Sequence, residues 1–261
     1  SRIPAVKSIQ GWMMFQWTST QDSGGHFWFP KVLIADMNWA VLPSSSKAVF
    51  PVLAIHANQN GISFPSEERI AAMAGITQKT AREGLRGLKG FPAYMHCQAR
   101  TTSQGKRGKQ HHLMLPKADT ERGKAFPFHR IIIEGGNWSR LLPSAKALYV
   151  VMRYFGYFDQ DLYQEHEDPD FSFTDDCRSD LFSSRRCDFC NAEYVQLARH
   201  AGIHRNKVSS AIDDLVRHHL LKLIREDGDA IYKVYLRPPR FFKASFLNSE
   251  LKKRRKESNK S

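Results

Sequence analysis

The sequence predicts an α+β fold made of one unit repeated in tandem. Three observations carry that expectation. Ser66–Leu88, SEERIAAMAGITQKTAREGLRGL, places Ile70, Met73 and Ile76, then Ala81, Leu85 and Leu88, at three- and four-residue steps, as two short helices with one apolar face each would. The pattern returns at a shift of 127 residues. Leu197, Ala201, Gly202, Ile203 and Val208 answer Ile70, Ala74, Gly75, Ile76 and Ala81, while Ile212 and Leu215 answer Leu85 and Leu88. Upstream the match continues at a shift of 99, with Phe27, Phe29, Lys31, Ile34, Asn38, Trp39, Lys47 and Ala48 answered by Phe126, Phe128, Arg130, Ile133, Asn137, Trp138, Lys146 and Ala147. The two shifts leave the second copy about 28 residues longer, and self-similarity of this kind reads as internal duplication.

Taken in order, residues 1–26 form an arm whose Trp12, Phe15 and Trp17 call for cover. Phe27–Ile34 reads as a strand and Lys47–Asn58 as a helix capped by a preceding Ser, with Pro51 in or near its first turn. Ile62–Phe64 is a very short strand. Ser66 then caps the first helix of the pair, with Glu67 and Glu68 in its first turn favouring the helix dipole. Gly75 tolerates the positive φ of the bend, and Thr77 caps the second helix. That arrangement is a helix-turn-helix, with Gln78, Lys79, Thr80, Arg82, Glu83 and Arg86 facing outward.

A β-hairpin follows, with strands over Tyr94–Ala99 and Gln110–Leu115. Its connection, Arg100–Lys109, holds four Lys or Arg and no acid. Helix-turn-helix plus hairpin wing makes a winged helix, so the expected organisation is a winged-helix domain over 27–116, a linker over 117–125, a second winged-helix domain over 126–240 and a basic tail over 241–261. In the second copy Phe126–Ile133 is the strand, Ala145–Tyr157 the helix and Asn191–Leu215 the helix-turn-helix. Its wing is Leu220–Ile224 and Ile231–Leu236 about an acidic Glu226–Asp229 tip, where Asp-Gly favours a tight turn. Trp39 and Trp138 read as core anchors. An insertion over about 158–190 begins with eight carboxylates and no Lys or Arg between Phe158 and Cys177, so it should point away from a polyanion or meet a basic partner.

A chain of this length has room for two modest cores, and 41% hydrophobic residues can fill them. The formal net charge of +13 and 39 Lys and Arg favour a polyanionic partner. No run approaches the roughly 18 apolar residues of a membrane helix, no secretory signal is visible, and four cysteines make no disulfide framework, so a cytoplasmic setting is expected. Cys187 and Cys190 have CxxC spacing, with Cys177 upstream. Free thiols, a structural zinc site on these three and a redox pair are the readings open to them, free thiols first, and no cofactor is expected. The chain holds no His-hydrophobic-His pair and no GxxxxGK[ST] loop, so no enzyme activity is expected either.

The run FxFPKxL…SSKAVxxVLxxHAxxxGxSFPSEExIAxxAGITxKT, as it stands in Phe27–Leu88, resembles the winged-helix DNA-binding proteins of bacterial plasmids and phages, replication initiators among them. The likeness is strongest over Ser44–Leu88 and fainter over Phe126–Leu236; the acidic insertion departs from it. It implies a sequence-specific binder of double-stranded DNA with two heads on neighbouring major grooves, associated with a plasmid or the nucleoid. It also implies a helicase or other replication protein as partner, and a homodimer as one assembly. On this reading Gln78, Lys79, Thr80, Arg82, His204, Arg205, Asn206 and Lys207 read bases. Arg86, Arg100, Lys106, Arg107 and Lys109 hold phosphate. A transcription regulator or a segregation or transfer accessory factor would use the same chemistry. A winged helix serving as a protein-docking module is the reading from another class.

Overall fold

A computed structural model describes residues 25–91, 94–101, 107–115, 124–157, 159, 162, 189–225 and 230–236. Strand β1 (His26–Pro30) is followed by the short helices α1 (Val32–Ala35) and α2 (Asn38–Val41), then α3 (Ser44–Ile55), β2 (Ile62–Ser63), α4 (Glu67–Ala74), α5 (Gln78–Lys89), β3 (Met95–Thr101) and β4 (Arg107–Leu113). The order then returns as β5 (Ala125–His129), α6 (Ile131–Glu134), α7 (Asn137–Arg140), α8 (Pro143–Tyr154), β6 (Phe189–Cys190), α9 (Tyr194–Ala201), a 3-10 turn (Arg205–Lys207), α10 (Val208–Arg217), β7 (Leu221–Arg225) and β8 (Ile231–Val234). Two three-stranded sheets, β2-β4-β3 and β6-β8-β7, therefore have the same strand order.

Several expected boundaries move, for physical reasons. Both long β runs stop early: Pro30 ends β1, and Lys31 and Arg130 each begin a helical turn that buries Leu33 and Ile34, or Ile132 and Ile133, while Val32 stays 45% exposed. His26 and Ala125, assigned to the arm and the linker, are strand residues. Helix α3 starts at Ser44, without a side-chain cap, so Pro51 lies inside the helix and leaves the Lys47 carbonyl without its amide donor. Helix α8 likewise runs Pro143–Tyr154. The β3–β4 hairpin pairs further than expected, Thr101 opposite Arg107 and Ala99 opposite Lys109, so Arg100, Arg107 and Lys109 belong to strands and the connection shrinks to 102–106. In the second unit Phe189 and Cys190, assigned to the insertion, form the third strand of the sheet. Tyr157 bridges to Phe189 and closes the base of the excursion. The arm over 1–24, most of the linker and insertion, the acidic wing tip and the tail lie outside the described residues.

The expectation of two separate cores is overturned: one hydrophobic cluster runs through both halves. Its centre is the antiparallel pair β1–β5, which joins the halves with Phe27 opposite Phe128, Trp28 opposite Pro127 and Phe29 opposite Phe126. Phe27 stacks on Phe128 and Phe29 on Phe126 at centroid distances of 5.0 and 5.1 Å. The Trp39 indole packs edge-on to Phe29 and donates to the Ala147 carbonyl (3.1 Å), while Trp138 packs edge-on to Phe128 and donates to the Ala48 carbonyl (3.0 Å). Both are core anchors, as expected, and each anchors into the opposite half. At the margins Lys31 N donates to the Lys124 carbonyl and Arg130 N to the Gly25 carbonyl, 2.8 Å each. Every one of these contacts is reciprocal, so an approximate two-fold axis passes through the Trp28–Pro127 pair.

The same axis relates the two bends. Gly75 and Gly202 end α4 and α9 at φ 68° and 62°. A Cβ on Gly75 would overlap the Ser139 carbonyl oxygen, and one on Gly202 the Ala40 carbonyl oxygen. Glycine is needed twice over, for the left-handed backbone and for the close approach of α7 and α2. Each helix pair is thus seated on the other half. Among the described residues no helix is long and apolar enough to cross a membrane.

Candidate nucleic-acid interface

Local sequence builds the first helix pair with little ambiguity. The Ser66 hydroxyl accepts from Arg69 N (3.1 Å) and the Thr77 hydroxyl from Thr80 N (3.1 Å), so both helices start on a side-chain cap. Ile70, Ala71, Met73, Ala74, Ala81, Gly84, Leu85 and Leu88 turn inward. Helix α5 presses on the start of α3, where a Cβ on Gly84 would come within 2.7 Å of the Ser45 carbonyl oxygen and the Ser46 hydroxyl donates to the Gly84 carbonyl (2.8 Å). Two glycines in this helix lower its intrinsic propensity, and here both permit close packing, Gly84 on Ser45 and Gly87 on Ser46. The outer face is left to Gln78, Lys79, Arg82, Glu83 and Arg86, all exposed. Thr80 is half-buried, its hydroxyl 2.9 Å from that of Thr77.

One acid organises the basic groups of this face. The two Glu67 oxygens accept separately from Arg82 Nε (2.6 Å) and Lys109 Nζ (2.9 Å), tying the start of α4 to α5 and β4. Those two bonds hold the Glu67 carboxyl below its ordinary range. Read from sequence, Glu67 serves only the helix dipole; a contact spanning 42 residues leaves no local signal. Lys109, expected in a loose tip, is thereby fixed beside the helix. The backbones of Arg100 and Arg107 belong to the wing strands, and Lys106 lies outside the described residues.

The second pair differs where the residues would meet a ligand. His204, Arg205, Asn206 and Lys207 are exposed as expected, but they occupy a cap and a 3-10 turn ahead of α10 and not the helix face. The His204 imidazole accepts from Asn206 N (3.4 Å) and lies 2.8 Å from the Asn206 side-chain oxygen. At the positions of Arg82 and Arg86 stand Ser209 and Asp213, both exposed. Where Glu67 stands in the first unit, Tyr194 places its hydroxyl 3.2 Å from that of Tyr232 on β8. Asp214 is buried and structural: it accepts from Leu142 N (2.8 Å) and faces Arg217 and His218.

The cysteines supply little further. Cys190 is buried on β6, and burial pushes its thiol up to about 11. Cys177 and Cys187 lie outside the described residues. No group of three metal-binding side chains comes together among the described residues.

Residues 40–91 match the family model described as a helix-turn-helix domain. No curated protein and no solved structure matches the chain. The match runs from the end of α2 through α5 and points to DNA binding by the pair whose outer face carries Lys79, Arg82 and Arg86.

Proposed function

We propose that this chain is a sequence-specific double-stranded DNA-binding protein with two winged-helix units, over 27–116 and 126–240, derived from an internal duplication. The observation that carries the reading is the first helix-turn-helix: a doubly capped pair whose recognition helix exposes Gln78, Lys79, Arg82 and Arg86 beside Lys109 of the wing. Lys and Arg there would bind phosphate, and Gln78, Lys79 and Arg82 would reach base edges in the major groove. In the second unit the cations gather at Arg205 and Lys207, with Asn206 between them. Asp213 on its helix body and the acidic wing tip leave it the weaker partner for phosphate. The reading assigns no catalytic group.

Reciprocal contacts across β1–β5 support two heads held in opposite orientation by one core, so the favoured target is a pair of inverted half-sites. Because Gln78-Lys79-Thr80 and Arg205-Asn206-Lys207 differ, the half-sites should differ in sequence. Among biological roles we favour a plasmid or phage replication initiator, in keeping with the sequence resemblance, with a helicase-type partner and self-association as subsidiary proposals. A regulator or a segregation or transfer factor would bind the same way near a promoter or partition site. Binding-site selection from random duplexes, followed by footprinting, tests the reading. Two unequal protected elements in inverted orientation are expected. Failure to retain any duplex at low salt would remove the DNA reading, and protection of a single head's width would remove the two-headed one.

A further inference from the structure

Glu67 stands between two cations that the proposed interface needs. Its oxygens take one hydrogen bond each from Arg82 and Lys109, whose side chains are 54% and 58% exposed while that of Glu67 is 28% exposed. A carboxylate and a phosphate offer a guanidinium or ammonium group the same kind of oxygen acceptor. Exposed ion pairs are weak, so a phosphate arriving from solvent can take the place of this carboxylate. From this geometry, and resting on the DNA-binding reading above, we infer that Glu67 is a built-in counter-ion: on duplex of arbitrary sequence, where Arg82 has no cognate base edge to read, it competes with backbone phosphate for Arg82 and Lys109 and limits the grip of the first unit. Comparison of the two units supports the assignment. Where the first unit has Arg82 the second has Ser209, and where it has Glu67 the second has Tyr194, whose hydroxyl meets that of Tyr232 on β8 without charge. The acid is found in the unit that has cations for it to restrain.

The test uses the full chain and a short duplex of random sequence, with affinity measured across a potassium chloride series. Glu67→Gln keeps the size of the side chain and removes its charge. It is expected to tighten binding at low salt by about 2- to 30-fold, as for release of two exposed ion pairs. The slope of log affinity against log salt should steepen by up to about 1.8, from two further phosphate contacts at roughly 0.9 each. In an Arg82→Ala/Lys109→Ala background the same substitution should leave the slope unchanged. If the wild-type chain binds duplex and Glu67→Gln leaves its slope unaltered, the counter-ion assignment fails while the DNA reading stands. An equal steepening in the Arg82→Ala/Lys109→Ala background would also overturn it, because a general charge effect would then account for the change. If the wild-type chain retains no duplex at low salt, both fail together.

Discussion

Lys47 places an amine inside a core that is mostly aliphatic and aromatic. It is 2% exposed and donates to the Ala40 carbonyl (3.1 Å) and across the two-fold axis to the Ala201 carbonyl (2.8 Å), the last residue of α9. Lys146 is its counterpart, donating to the Leu141 carbonyl at 2.6 Å. Burial lowers the Lys47 amine to about 8. The folded chain therefore gives up this proton before the unfolded chain does. Between about pH 8 and the ordinary lysine value the unfolded state binds more protons, so stability should rise with pH across that window and be flat below it. The rise is at most about 3 kcal/mol for a shift of this size. Urea midpoints at pH 7 and pH 9.5 check it: the wild-type gain should exceed that of Lys47→Met, and equal gains would count against a buried amine. The sequence paired Lys47 with Lys146 by position, yet position alone carries no information about burial. Single lysines near a helix start read as solvated, and only their carbonyl partners, one of them in the opposite half, reveal otherwise.

At the scale of elements the caps and bends were the most legible features, because their causes are local. Ser66 and Thr77 act within a few residues of themselves, as does the left-handed backbone of Gly75, and all three stand where the pattern puts them. The second unit shows what happens when the local signal is missing. Glu193 occupies the position of Ser66 but makes no side-chain cap bond. Replacing Ser66 by Ala should therefore lower stability by about 1 kcal/mol, a drop of roughly 2–4 °C in melting temperature for a chain of this size. Glu193→Ala should stay within about 0.5 kcal/mol. Thermal unfolding followed by circular dichroism distinguishes the two, and equal losses would mean the Ser66 hydroxyl is not the cap. Strand lengths were less legible. The first wing's Arg100, Arg107 and Lys109 read as a charged loop, since the polar outer face of a hairpin carries no apolar alternation. Phe189–Cys190 was hidden at the end of the insertion because two residues are too few to show a period, and their partners Lys233 and Tyr232 lie more than forty residues on.

For the whole molecule, the matching of the two segments was visible but the contact between them was not. Phe27-x-Phe29 and Phe126-x-Phe128 announce equivalent strands, while nothing in either stretch says that the two pair with each other; a polar linker between them reads equally well as a separator. The pairing makes each half depend on the other for the cover of Phe27, Phe29 and Trp39, or of Phe126, Phe128 and Trp138. The intact chain should accordingly unfold in one cooperative transition, with calorimetric and van't Hoff enthalpies in agreement. A fragment of residues 25–115 should not be stable as a monomer, because it would expose two phenylalanines and a tryptophan, each worth about 1.5–3 kcal/mol of burial or more. The two-fold relation gives that fragment one escape. Phe27 and Phe29 already face residues of their own type across the axis, so two copies of β1 can pair as β1 and β5 do, with Phe27 of one copy opposite Phe29 of the other. The fragment is thus expected to fold only as a homodimer, with a melting temperature that rises with protein concentration and twice the monomer mass in sedimentation equilibrium. A folded monomeric fragment with a concentration-independent melting temperature would show that the first half keeps a core of its own. The fixed, opposed orientation of the two helix pairs would then lose its structural basis.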